Sequence, residues 1–242
     1  MKNKKIILGV NIDHAATLRK VRGNTTHYPD LLKMTELAKA GGAKQITIHL
    51  REDRRHIQDT DVVNLCKNSK LPINLELAVS EEMLKIALKN KPTWVCFVPE
   101  KREELTTEGG LNIIKVFEEI KKMTEILHKA KIKVSYFIEP NLEQVSAAAL
   151  AGADAVEFHT GHWVMALASE KQKIWKRLCD AAIRTHELKM RVHAGHGLDF
   201  EHAKIIKKMP HLKEVNIGHS LICYSLEYGL KKTTKKMLNK LK

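Results

Sequence analysis

The sequence predicts an α/β fold, a (β/α)8 barrel of the TIM type with extra helical segments, and three observations predict it. Eight short β-branched runs alternate with helix-period segments along the whole chain. The runs are apolar nearly throughout, as in a parallel sheet buried on both faces. The length, 242 residues of which 43% are hydrophobic, suits the roughly 250 residues that such barrels use. No Gly/Ser linker or composition shift interrupts the pattern, so residues 1–242 are expected to form a single barrel domain. A doubly wound open sheet is the competing architecture. It needs a glycine-rich phosphate loop after an early strand, and neither GxGxxG nor GxxxxGK[ST] occurs.

In chain order, the first strand is read at KIILGVNID (5–13), and PDLLKMTELAKAGG follows as a helix with a proline start and a glycine stop. QITIHL (45–50) and INLELA (73–78) are the second and third strands, and SEEMLKIALKNK is a helix opened by serine. WVCFVP (94–99) is the fourth. The segment 110–131, GLNIIKVFEEIKKMTEILHKAK, reads as one long helix or two short ones. KVSYFI (133–138) precedes the helix LEQVSAAALAGA, and AVEFHT (155–160), MRVHAG (190–195) and EVNIGH (214–219) complete the set.

Composition narrows function. Cys66, Cys96, Cys179 and Cys223 are widely spaced with no CxxC pair, which points to reduced thiols rather than a zinc site or disulfide framework. No apolar run approaches the roughly 20 residues of a membrane span, and MKNKKIILGV lacks a signal peptide's pattern. A cytoplasmic protein without a membrane partner is expected. The net charge of +14 comes mainly from 33 lysines spread over helices and the tail, a solvated surface without interleaved aromatics, so no nucleic-acid partner is expected. Arginine is distributed differently. Five of nine, Arg19, Arg22, Arg51, Arg54 and Arg55, fall in the first 55 residues near strand ends, where a planar guanidinium suits phosphate or carboxylate.

Chemistry in a barrel sits at the C-terminal ends of its strands. Six of the eight runs carry polar or ionisable groups toward that end: Asn11, Asp13 and His14; His49 and Arg51; Glu76; Glu157 and His159; His193 to Gly197; Asn216 to Ser220. Alternation puts Asn11 with Asp13, Thr47 with His49 and Arg51, and Asn74 with Glu76 on single faces. Glu76, flanked by Leu75 and Leu77, points into the barrel and is a candidate acid/base with a raised pKa, or half of a buried salt bridge. His49 is the acid/base candidate of the second strand, against the alternative of a hydrogen-bonded core histidine. Arg51 and His56 are placed to reach an anionic group, while Arg54 and Arg55 are expected to pair with Glu52, Asp53 or a neighbouring subunit. His196 lies between two glycines, and Gly218 leaves a backbone N–H for a phosphate after the eighth strand. His27, His128, His186, His202 and His211 are expected at the surface.

GVNIDHAATLRKVRG, ITIHLREDRRHI, NLELAVSEEML, VPEKREELTTEGGL, VEFHTG, HAGHGL and NIGHS run in order across nearly the whole chain. With them the sequence resembles the pyridoxine 5′-phosphate synthase family of the deoxyxylulose-dependent vitamin B6 pathway. The resemblance implies a (β/α)8 barrel assembling into a homo-octamer. It implies condensation of two phosphorylated substrates, 3-amino-2-oxopropyl phosphate and 1-deoxy-D-xylulose 5-phosphate, to pyridoxine 5′-phosphate, inorganic phosphate and water, with no cofactor and no metal. By the same resemblance His49, Glu76 and His196 are acid/base residues and Glu157 stabilises the transition state. Asp13, His14, Arg51, His56 and Thr106 match contacts to the deoxyxylulose phosphate. Asn11, Arg22, Gly197, Gly218 and His219 match contacts to the amino-ketone phosphate. Two departures stand out. His193 replaces the usual asparagine of NAGHG, which is expected to alter hydrogen bonding behind His196, and HTGHWVMA, 159–166, departs from the usual small residues.

Two other classes compete on the residues alone. A metal-dependent barrel hydrolase or aldolase would use Asp13, His14, His49 and Glu76, but HxH and HExxH are absent and three arginines beside the site repel a dication. A nucleic-acid-binding protein would account for the charge. Metal analysis and salt-dependent nucleic-acid binding separate these readings.

Overall fold

In the computed structural model, which describes residues 6–23, 25–100 and 109–242, the strands are β1 (Ile7–Asn11), β2 (Gln45–His49), β3 (Ile73–Leu77), β4 (Trp94–Phe97), β5 (Lys133–Ile138), β6 (Ala155–His159), β7 (Arg191–Gly195) and β8 (Leu212–Ile217). Each pairs in parallel with the next and β8 pairs with β1, closing the barrel. Around it lie α1 (Asp13–Val21), α2 (Leu31–Gly41), α3 (Asp59–Asn68), α4 (Glu81–Asn90), α5 (Phe117–Lys129), α6 (Leu142–Leu150), α7 (Gly161–Met165), α8 (Ala168–Glu187), α9 (Phe200–Ile206), α10 (His219–Tyr228) and α11 (Leu230–Leu241). The expected barrel is the observed one. Its extra helices double the connections after β1, β6 and β8.

Several helices begin where a side chain satisfies the free N–H groups of the first turn. Asp30 accepts from Leu32 and Lys33, Asn141 from Glu143 and Gln144, and Asp199 from Glu201 and His202. Packing of the outer shell is close. A Cβ on Gly41 of α2 would lie 2.6 Å from the Lys231 carbonyl of α11, so only glycine lets these helices approach so near.

Three element boundaries differ from the sequence reading. The first strand stops at Asn11 because its side-chain oxygen accepts the Asp13 N–H at 2.9 Å and starts α1, so Asp13 is helical and does not share a strand face. Arg51 lies past β2 in a turn in which the Arg54 N–H reaches the Arg51 carbonyl at 3.0 Å. In segment 110–131 the helix starts only at Phe117. Before it, Leu111 bonds to the Phe137 carbonyl and Gln144 accepts the Ile113 N–H, so backbone groups that a helix would use are taken elsewhere.

Burial on both strand faces holds, but the two faces differ chemically. Ile46, Ile48, Leu75, Val95, Phe97, Tyr136 and Phe158 face the helices in the apolar core. The lumen is polar. Following the strand register around the closed barrel gives layers of four, each drawn from alternate strands. From the bottom these are Gln45, Trp94, Ala155 and Glu214; then Gly9, Asn74, Ser135 and His193; then Thr47, Cys96, Glu157 and Asn216; then Asn11, Glu76, Phe137 and Gly195. His49, Val98, His159 and Gly218 form the top. The two upper layers, apart from Gly195, line the mouth of the barrel.

Candidate active site

At the C-terminal ends of the strands a cavity of about 590 Å³ opens, lined by Asn11, His14, His49, Arg51, Glu76, Glu157, His159, His196, Gly197, Asn216, Gly218 and His219, among others. It therefore gathers the three expected acid/base residues, the expected transition-state-stabilising Glu157 and six of the expected binding residues, from both ends of the sequence.

Glu157 is held through Asn216. Its Oε2 accepts from the Asn216 amide at 2.6 Å, and Asn216 in turn accepts from Thr47 Oγ1 at 2.9 Å. Room for this layer comes from two glycines. A Cβ on Gly195 would sit 2.1 Å from Glu157 Oε1, and one on Gly9 would sit 1.9 Å from Asn216 Oδ1. Two layers below, Glu214 accepts from Gln45 at 2.5 Å, and burial pushes its carboxyl up to about 7. Burial raises Glu157 as well, against the Asn216 hydrogen bond that favours its charged form.

Glu76, in the layer above, is raised well beyond the ordinary carboxylate range, first by burial in the barrel wall and then by the charges of Glu157 and Asp13. The alternative of a buried salt bridge has weak geometric support, since the one ion pair to Glu76 among the described residues is His49 Nδ1 at 3.9 Å. His49 is better engaged on its other nitrogen, where Nε2 and Glu100 Oε1 are 2.9 Å apart. Glu100 also takes the Glu52 N–H at 3.0 Å and lies 3.7 Å from Arg51 Nη2. Arg51 lines the cavity, and its buried Nε, 3.5 Å from Asp53 Oδ1, makes no hydrogen bond among the described residues.

His196 follows β7 with φ +76°, a strained value for a side-chain-bearing residue. Thr160 Oγ1 bonds to its carbonyl at 2.6 Å and holds that turn. The protein packed around the His196 ring lowers its pKa, as do His159 and His14. His14 is lowered by burial and by His219, whose ring stands edge-on at 5.0 Å. Burial thus moves His14 and His196 toward their neutral forms and Glu76 and Glu157 toward their protonated forms.

The remaining expected residues divide. Gly218 caps α10, and a Cβ there would come 3.0 Å from Asn11 Cβ, so the strand ends meet closely at this point. Asp13 is buried behind the cavity. Its Oδ1 accepts the His49 N–H at 2.9 Å and its Oδ2 the Asn11 amide at 2.8 Å. His56 backs His49 with ring centroids 6.0 Å apart. Arg22 is exposed at the C-cap of α1 and does not line the cavity. Thr106 lies outside the described residues. Arg55 pairs with Asp53 as expected, whereas Arg54 pairs with Asp59 and Glu82 and donates to the Glu52 carbonyl.

Two expectations are corrected. His193 sits in the second lumen layer, edge-on to Trp94 at 5.4 Å, and its Nδ1 is 3.6 Å from Glu214; it lies low in the barrel rather than behind His196. His202 is half-buried, its ring 5.3 Å from Trp163, rather than a surface residue. Glu100, His159 and Asn216 are site residues that the sequence reading left without a role. Alternation carried the signal for two of them, since His159 is two residues beyond Glu157 and Asn216 two beyond Glu214.

A family model described as pyridoxal phosphate biosynthesis protein PdxJ matches residues 8–242. Pyridoxine 5′-phosphate synthase from Bdellovibrio bacteriovorus is 59% identical over 238 residues, covering 98% of this chain and 99% of that protein. The protein of the same name from Photobacterium profundum is 49% identical over 233 residues, covering 96% and 95%. Among solved structures, tryptophan synthase from M. tuberculosis in a ligand-free form superposes with TM-score 0.65 at 11% identity, covering 99% of this chain and 94% of that one. Phosphoribosyl anthranilate isomerase from Thermus thermophilus gives TM-score 0.59 at 12%, covering 98% of each. Those two likenesses concern the barrel fold alone.

Proposed function

This chain belongs to the pyridoxal phosphate biosynthesis protein PdxJ family, and we propose that it is a pyridoxine 5′-phosphate synthase. The reaction joins 3-amino-2-oxopropyl phosphate and 1-deoxy-D-xylulose 5-phosphate into pyridoxine 5′-phosphate, releasing inorganic phosphate and water. The observation that supports it best is the convergence of His49, Glu76, Glu157 and His196, from four strand ends, on one cavity, where burial raises both carboxyls and lowers the His196 imidazole. Imine formation, phosphate loss and ring closure each move protons between carbon, nitrogen and oxygen. A protonated Glu76 serves as acid where a neutral His196 serves as base, and the roles reverse in later steps. His49, joined to Glu100 at 2.9 Å and close to Glu76, relays a proton between substrate and carboxylate. Glu157, held by Asn216, faces the centre of the cavity and stabilises developing positive charge.

Arg51 with His56 and Thr106 is assigned to one phosphate, and Gly197, Gly218 and His219 to the other. The start of α10 favours an anion because Gly218, His219 and Ser220 at its N-terminus line the cavity. Asp13 and His14 are assigned with Arg51 to the deoxyxylulose-phosphate side, and Asn11 and Arg22 to the amino-ketone side. No metal or redox group enters this scheme. The homo-octamer belongs to the same proposal, and the exposed apolar hollow of Ile114, Leu142 and Leu150 supports a subunit contact. A cytoplasmic location is proposed with it; among the described residues no helix is long and apolar enough to cross a membrane.

The test is direct. Purified, chelator-treated protein is mixed with both substrates, and pyridoxine 5′-phosphate and phosphate are measured. Equal release of the two supports the proposal, and absence of pyridoxine 5′-phosphate under conditions where a family enzyme is active overturns it. Light scattering reads the assembly.

A further inference from the structure

Among the described residues two clusters bring three metal-ligating atoms within 4.8 Å of one another: Asp13 with His49 and His56, and Glu139 with His159 and His162. The first is already spent. Both Asp13 oxygens accept hydrogen bonds, from the His49 N–H and the Asn11 amide, and His56 Nδ1 accepts the Ile57 N–H at 2.9 Å. Arg51 stands beside it, 3.7 Å from the Glu100 carboxylate that His49 also contacts. A dication there would displace those bonds and face a guanidinium.

The second cluster is built differently. Glu139 follows β5, His159 ends β6, and His162 is in the first turn of α7. Glu139 and His159 are fixed, their side chains 4% and 12% exposed, with Oε1 and Nδ1 2.6 Å apart. His162 is exposed, and its ring stands edge-on to His159 at 5.5 Å. Zinc held at about 2.0–2.1 Å by two imidazoles and a carboxylate needs donors about 3.3 Å apart. The pair has to open by less than about 1 Å, and His162, whose ligand nitrogen lies within 4.8 Å of theirs, has to turn toward it. Thr160 pins the start of α7 through its bonds to the Gly195 and His196 carbonyls, both at 2.6 Å. Two imidazoles and one carboxylate form a donor set that zinc-class ions accept.

We propose that Glu139, His159 and His162 bind one divalent transition-metal ion at the rim of the cavity, and that filling this site slows turnover. The coupling runs through His159, whose ring is 4.8 Å from that of His196. Behind both lies Gly161, where a Cβ would meet His159 Nε2 at 2.6 Å and His196 Cδ2 at 3.0 Å. A metal that draws His159 out of its Glu139 bond shifts the ring against which His196 packs. Metal binding is independent of the reaction proposed above, and only its effect on turnover rests on that proposal.

The full chain is equilibrated with Zn²⁺ or Co²⁺ at neutral pH, freed of excess metal by gel filtration, and assayed for bound metal and for the visible bands of tetrahedral Co²⁺. One equivalent is expected in the wild type, retained in His56→Ala, and weakened about tenfold or more in His162→Ala and Glu139→Gln. His162→Ala is exposed and outside the cavity lining, so its metal-free turnover should match the wild type while its sensitivity to Zn²⁺ disappears. The proposal is overturned by a wild type that binds no metal, by undiminished binding in His162→Ala, or by loss of binding in His56→Ala. Wild-type binding without slowed turnover overturns the inhibitory half and leaves the site.

Discussion

Asn216 donates its side-chain amide to Glu157 Oε2 at 2.6 Å across a layer that Gly9 and Gly195 keep open. The contact ties the last strand to the sixth and opposes the effect of burial on the carboxyl. Removing a donor from the charged form raises a carboxylate's pKa. In Asn216→Ala the limb of the pH–kcat profile that reports Glu157 should therefore move to higher pH. A hydrogen bond to a charged group is worth about 1.5–3 kcal/mol, which corresponds to roughly one to two pH units. If the limb stays in place while kcat falls, Glu157 is not the group that titrates.

The strand count and the inward set were legible because alternation has a period of two. Asn11, Glu76, Glu157 and His49 all occupy the lumen positions that the pattern assigns them. What links those residues was not legible. The Asn216–Glu157 bond spans 59 positions and Thr47–Asn216 spans 169, and both depend on strand register, which one sequence does not reveal. Glu100 reaches His49 and the Glu52 N–H from beyond the end of β4, where side-chain direction no longer follows strand alternation. Asp13 misled for a related reason, since the Asn11 side chain turns the chain into α1 two residues earlier than β propensity suggests.

Arg51→Lys tests the guanidinium fork. Arg51 lies 3.5 Å from Asp53 and 3.7 Å from Glu100, with Nε left without a hydrogen bond. Lysine keeps the charge and loses the planar pair of donors. KM for the ketose phosphate should rise by a factor corresponding to about 1–3 kcal/mol, with a smaller change in kcat. Unchanged KM and kcat would place Arg51 outside the substrate site.

His193→Asn tests the buried imidazole. Burial first, and Arg191 second, push its pKa down from 6.5 to about 3. Folded His193 is therefore neutral, whereas the unfolded chain takes up a proton below about 6.5. The unfolded state then binds more protons, so stability is lost as pH falls from 6.5 toward 3. Asparagine carries no such linkage. The variant's Tm should fall less than that of the wild type over this window, with turnover at neutral pH preserved because His193 does not line the cavity. Parallel Tm curves would show that the ring is already protonated in the folded protein.

Glu76→Gln separates a catalytic carboxyl from a structural one. The amide is nearly isosteric and the closest ion-pair partner, His49 Nδ1, is 3.9 Å away, so little packing or pairing is lost. Turnover should fall by about 10²–10⁴-fold, the usual contribution of a general acid or base. Stability supplies an independent check. Burial and the neighbouring carboxylates raise the folded pKa of Glu76 well above 4.5, so folding keeps a proton that the unfolded chain releases. Below 4.5 both states are protonated and Glu76 costs nothing; as pH rises from 4.5 toward the folded pKa the unfolded state gains and wild-type stability declines. Glutamine removes that decline, and the variant's Tm should overtake that of the wild type progressively across this window. A lower Tm at every pH with near-normal turnover would instead identify Glu76 as half of a structural pair, and the proton would have to come from another residue.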